Sequence, residues 1–103
     1  MNIKLLTFRS LQTVIADVRD FDTPQGKMYN LIRPLFVATQ PTQQGQQLIF
    51  IPFLEWSQEW EDGIDFPASE FITTNTPLND VAEQYRKMFS TIEIANAMPK
   101  FKK

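Results

Sequence analysis

The stretch IFIPFLEW, residues 49–56, is apolar on both faces when laid out as a β-strand. Side chains alternate along a strand, so Phe50, Pro52, Leu54 and Trp56 fall on one side and Ile49, Ile51 and Phe53 on the other. A chain of 103 residues buries roughly 60–70% of its unfolded surface, enough for one modest core. One face of this strand can meet that core. The other needs a second cover, either a helix from the same chain or a neighbouring molecule. Left bare, such a strand is an aggregation hazard. Pro52 adds a further constraint, because it cannot donate a ladder hydrogen bond and pairing must break or bulge there.

The rest of the chain supplies short strands and one helix. Residues 3–8, IKLLTF, are β-prone. In residues 12–21, QTVIADVRDF, Val14, Ala16 and Val18 alternate with Thr13, Asp17 and Arg19, the pattern of a half-buried antiparallel strand. TPQG, residues 23–26, is a Pro–Gly turn. KMYNLIRPLFV, residues 27–37, is a third strand in which Pro34 marks an edge, a bulge or a bend. The polar segment 40–47, QPTQQGQQ, reads as a hairpin tip, followed by the apolar strand 48–56. Residues 57–67, SQEWEDGIDFP, read as an acidic loop, and 69–74, SEFITT, as a fifth strand.

The period then changes. Leu78, Val81, Ala82, Tyr85, Met88, Phe89 and Ile92 recur at three and four, a single apolar stripe on a helix. Thr76 is its expected cap and Pro77 its first residue. The expected organisation is one domain over 1–103: a barrel over about 3–75, a helix over about 77–95 and a tail over 96–103 that holds Pro99 and a basic cluster, Lys100 to Lys103. The expected fold class is an all-β core with one helix, a five-stranded, strongly bent antiparallel barrel of the SH3 type plus a C-terminal α-helix.

Composition restricts the chemistry. The chain has no histidine and no cysteine, which removes the commonest general base, the thiolate nucleophile and the commonest metal ligands. It has no phosphate loop and no nucleophile-elbow pattern, so the reading is non-enzymatic, with no cofactor. Ten basic and twelve acidic residues give a net charge of −2, so no global basic field draws nucleic acid. No run is long enough to span a bilayer, and the expectation is a soluble cytoplasmic protein with no membrane partner. Glu55, Glu59, Glu61, Asp62 and Asp65 could in principle bind Ca²⁺, but the EF-hand spacing fails and a solvated acidic loop is the preferred reading. Trp56 and Trp60 sit among those acids and are read as packing residues rather than base-stacking ones.

Residues 3–22, IKLLTFRSLQTVIADVRDFD, resemble the opening two strands of an Sm-like (LSm) protein. Val14, Ala16 and Val18 stand where that family's V-x-G-x-L pattern falls, and Asp22 where its loop Asp does. Met28 and Asn30 echo the Met-Asn of its third strand. The whole chain resembles small Sm-like proteins encoded by marine cyanophages. Pro34-Leu35, the apolar fourth strand with a central Pro, the acidic loop and the helix DVAEQYRKMF, residues 80–89, carry that likeness. The departures are Ala16 in place of Gly, a longer loop between Asp22 and Met28, and an acidic loop where the family's Arg-Gly pair would stand.

The resemblance implies a homo-oligomeric ring of roughly five to seven subunits, in which the fourth strand of one barrel pairs with the fifth of the next. The implied interface residues are Ile49, Ile51, Phe53, Phe71 and Ile72. The implied nucleic-acid residues are Asp22, Tyr29 and Asn30. For Tyr29 and Asn30 the alternative is an ordinary half-buried strand pair. Two functions follow. One is a non-catalytic phage protein that binds RNA or single-stranded nucleic acid through the ring, in the cytoplasm of an infected bacterial host. The other is an assembly module that meets phage or host proteins without nucleic acid. The family's habit favours the first, and the acidic balance with the missing Arg-Gly pair favours the second.

Overall fold

The computed structural model describes the backbone from Met1 to Asn96 and side chains to Phe89; Pro99 and the basic tail lie outside the described residues. The chain forms an all-β core with one long helix. Six strands make a single strongly curled, half-barrel sheet: β1 (Ile3–Phe8), β2 (Thr13–Thr23), β3 (Gly26–Thr42), β4 (Gly45–Pro52), β5 (Ile64–Pro67) and β6 (Phe71–Asn75). A short helix, α1 (Glu59–Asp62), precedes β5, and α2 (Asn79–Asn96) follows β6. All pairings are antiparallel, in the order β4-β3-β2-β1-β6, with β5 also on β3.

The sixth strand departs from the expected five. β5 lies inside the segment expected to be a loop, and it pairs Met28–Leu31 of β3 with Ile64–Pro67. Its alternation is Ile64 and Phe66 inward, Asp65 and Pro67 outward. Four residues ending in proline give too short a run to stand out against the acidic residues before it. The apolar fourth strand also ends earlier than its composition implies. Ladder pairing stops at Pro52, and Leu54 takes a left-handed φ of 63°, so residues 53–56 leave the sheet.

The β2–β3 and β3–β4 hairpins use one device. In TPQG and TQQG the Thr hydroxyl donates to the Gly carbonyl (Thr23 2.7 Å, Thr42 2.8 Å) and accepts the N–H of Gln25 or Gln44 at 3.2 Å. Gly26 and Gly45 have φ of 125° and 118°, a region costly for any residue with a Cβ.

The curl centres on a bulge. Ile15 pairs with Leu35 and Asp17 with Ile32, so Arg33 and Pro34 of β3 together oppose Ala16 of β2. Arg33 takes a φ of 53°. The extra residue reverses the side-chain phase of β3. Tyr29 and Leu31 before the bulge, and Phe36 after it, therefore all face the concave side. There they join Leu6, Val14, Ala16, Val18, Phe71, Phe8, Phe53 and Phe66. Leu35 and Val37 face the other side with Ile3, Leu5, Ile15 and Phe50, beneath Val81, Ala82, Tyr85, Met88 and Phe89 of α2. The sheet is apolar on both sides because the curl fills one side with rings and α2 covers the other.

The helix starts at Asn79, and its first i to i−4 bond runs from Ala82 N–H to the Leu78 carbonyl. Thr76 is therefore not its cap and Pro77 not its first residue, because both precede the helix; the Thr76 hydroxyl accepts from the Lys4 ammonium at 3.0 Å. Tyr85 anchors the helix. Its hydroxyl lies 3.0 Å from the carbonyls of both Ile32 and Arg33. Burial, and to a lesser degree the Asp17 charge, push its phenol well above the usual range.

Two outcomes follow. Tyr85→Phe strands the bulge carbonyls and should cost about 1–3 kcal/mol in urea unfolding. The neutral phenol is favoured by folding, so its contribution is complete below pH of about 10 and falls as pH rises past that value. Alkaline destabilisation should therefore be smaller in Tyr85→Phe than in the wild type.

Candidate functional site

Asp22, Tyr29 and Asn30 all lie on the β2–β3 hairpin but do not converge. Asp22 pairs with Lys27 near the tip, Tyr29 with Asp20 and Asn30 with Arg19. Asp22 and Asn30 are three rungs apart, roughly 10 Å along the strand. Directly paired residues share a face, so Tyr29 and Asp22 lie on the concave side and Asn30 on the other. Lys27 forms an ion pair with Asp20 at 3.6 Å. Tyr29 packs its ring 5.8 Å from that of Phe71.

Asn30 is drawn into the acidic segment. Asp65 is its direct partner on β5, and the Asn30 side-chain amide donates to the Asp65 carboxylate at 2.7 Å. Gly63, at a φ of 125°, lies so close that a Cβ there would run into the Asn30 side chain. The hydrogen-bonding end of Asn30 is thus engaged beside a carboxylate, which opposes phosphate. The pairing is specified by Gly63 and Asp65 two residues apart, a signal that the sequence carries only once β5 is recognised.

The rest of the acidic segment is organised by Trp60. Its indole N–H donates to the Pro34 carbonyl at 3.1 Å, and its ring lies 6.0 Å from that of Phe89. Trp56, by contrast, is 90% exposed. Among the described residues, no group of three or more acids is placed to hold a metal ion. No helix among them is long and apolar enough to cross a membrane.

The five interface candidates separate into two sets. Phe53 and Phe71 belong to the concave ring cluster: Phe53 lies 4.6 Å from Phe36 and Phe71 lies 4.7 Å from Phe8, centroid to centroid. Ile49, Ile51 and Ile72 are at the two ends of the sheet. Ile51 is 46% and Ile72 48% exposed, the latter bulged out where the β1–β6 register shifts. Beside Ile51 runs a groove of about 400 Å³ lined by Leu11, Thr13, Phe36 and Ala38. Leu11, in the β1–β2 turn at a φ of 74°, is 73% exposed. Its exposure has no periodic signal in the sequence, since a lone Leu in a turn reads as nothing.

Which backbone groups are open at these ends follows from ladder parity. Phe53 N–H donates to the Pro34 carbonyl at 3.3 Å. Hydrogen-bonded pairs alternate in an antiparallel ladder, so Phe36–Ile51 and Ala38–Ile49 exchange bonds. Gln46, Leu48, Phe50 and Pro52 therefore turn their backbone groups outward. On β6, Thr74 does the same, because the β1–β2 bonds use the even residues of β1. No protein-family model matches this chain, and no curated protein matches it.

Asn30 and Gly63 define a test. Gly63→Ala and Gly26→Ala both strain a left-handed backbone, but only the first also displaces a side chain. Gly63→Ala should cost about 1 kcal/mol more, by chemical denaturation, and the excess should vanish in an Asn30→Ala background.

Proposed function

We propose that this chain is a non-catalytic assembly module whose copies join edge to edge, β4 of one against β6 of the next. The observation that supports the reading is an open half-barrel in which, among the described residues, the strand at each end has no partner on its outer side, with an exposed isoleucine beside each. An unprotected apolar edge invites a strand. Two different edges on one molecule make a heterologous contact, which closes into a ring when the rotation allows. The resemblance to Sm-like proteins supports closure at roughly five to seven subunits, and with it an Sm-like barrel as the building block. On that resemblance the ring works in the cytoplasm of an infected bacterial cell and offers its composite surface to phage or host proteins.

The assembly reading is preferred to nucleic-acid binding because Asp22, Tyr29 and Asn30 are divided between two faces, with Asn30 held by Asp65.

The test is absolute mass across a dilution series. A mass at roughly five to seven times 12.0 kDa is expected. Ile51→Asp and Ile72→Asp should each lower it with little loss of subunit stability, since both side chains are half exposed. Phe53→Asp should instead unfold the subunit, because it puts a carboxylate among the rings of Phe8, Phe36 and Phe66. A fixed monomer would sink the reading. Oligo-uridine binding that weakens steeply with salt would replace it with the nucleic-acid one.

A further inference from the structure

On the convex side, α2 runs alongside the open edge of β4. Its flank toward that edge carries Asp80, Gln84 and Lys87, which border one shallow hollow. Gln84 also lines a second, amide-rich cleft of about 570 Å³ with Thr42, Gln44, Gln46, Gln47 and Leu48. Within it the Gln84 side-chain amide donates to the Leu48 carbonyl at 3.3 Å. By the parity established above, that carbonyl is one of the outward groups of β4. It is the acceptor an added strand would use.

The remaining outward groups set the length of the opening. Pro52 has no N–H, so the edge loses its donor there. Beyond Gln46 the strand enters the Gln43-Gln44 turn. An incoming strand can therefore both donate and accept only over Gln46–Phe50, with Leu48 at the centre of that window, while Pro52 offers its carbonyl alone. Both outer positions keep a donor and an acceptor. At the centre, the donor is on β4 and the acceptor is already engaged by α2.

We propose that Gln84 is a gate on the β4 edge: its amide stands in for the N–H of an incoming strand, so strand addition at β4 must displace it from Leu48. The inference rests on the edge-to-edge reading. It goes further in making α2, which covers the convex face, a competitor for the assembly surface. The mechanism is an exchange of one neutral hydrogen bond for another, with no covalent step. A neutral, exposed bond of this kind is worth about 0.5–1 kcal/mol, which corresponds to a two- to fivefold change in association. The gate therefore tunes assembly rather than forbidding it.

The experiment compares the wild type with Gln84→Ala, a substitution that favours the helix and removes the amide with one methylene. Self-association is followed by mass against concentration. Gln84→Ala is expected to associate two- to fivefold more tightly, with the melting of the dilute subunit little changed. Equal or weaker association in the variant overturns the gate. A wild-type mass fixed at one subunit sinks the assembly reading instead. The gate is then judged by fluorescence anisotropy of a labelled peptide of residues 70–76, EFITTNT, added in trans. Tighter binding by Gln84→Ala supports the gate, and equal binding, or none by either protein, overturns it.

Discussion

The hydrogen bonds at the β3 bulge are the interaction on which the rest of the structure depends. Three successive carbonyls, of Ile32, Arg33 and Pro34, lie where β3 changes partner from β5 to β4. Left unpaired in a buried setting, each would cost about 1–3 kcal/mol. The Tyr85 hydroxyl serves the first two, and the Trp60 indole N–H with the Phe53 N–H serves the third. One hydroxyl hydrogen is shared between two acceptors. These bonds come from three separate parts of the chain: α2, α1 and the segment that follows β4. The bulge thus fixes where the helix docks and where the acidic excursion folds back. Arg33 contributes from outside, with its guanidinium 5.1 Å from the Phe89 ring.

The same bulge explains the doubly apolar fourth strand. Without the phase reversal at Arg33-Pro34, Leu31 and Phe36 would lie on opposite sides of the sheet. With it, the concave side collects Phe8, Phe36, Phe53, Phe66 and Phe71, which pack by tilted, edge and, for Phe53 on Phe66, stacked contacts at centroid distances of 4.6 to 6.3 Å. Phe50 turns to the helix, 6.4 Å from Tyr85, while Phe53, having left the strand after Pro52, enters the concave cluster. The chain's many phenylalanines are accounted for mainly by this one filling. Half of IFIPFLEW is consumed within the subunit. Ile51, Leu54 and Trp56 are what remains uncovered.

Much of this architecture is legible in the residues. The alternation of Val14, Ala16 and Val18, the turn chemistry of TPQG and the stripe from Val81 to Phe89 each have one strong period, and each forms as that period dictates. Pro34 signals a break in β3, and the break is there. What the residues did not announce depends on distant partners. β5 is four residues long and exists because the first half of β3 has an open side for it. α1 has its place because Trp60 finds a carbonyl 26 positions away. The segment before α2 is tied to the first strand, where Lys4 donates to Thr76 from the far end of the chain. For the candidate site, type and spacing put Asp22, Tyr29 and Asn30 on one hairpin. The strand period then divides them between its faces, and the bond to Asp65 depends on the unforeseen strand.

The prolines show how a sheet with open ends is kept from indiscriminate pairing. Ladder parity puts Pro41, Pro52 and Pro67 at positions whose missing N–H points away from the partner strand. None of them costs an internal bond, and each removes a donor from an otherwise usable edge. At Leu48 the protection is different in kind, because a glutamine occupies an acceptor and can let it go. A permanent deletion and a reversible occupation on the same strand leave one short window of full donor-and-acceptor positions, beyond which Pro52 offers only its carbonyl. An edge built only to be shut would carry a charge or a proline at its centre. The centre of this one carries Leu48, covered by a neutral amide, with Ile49 and Ile51 on the concave side.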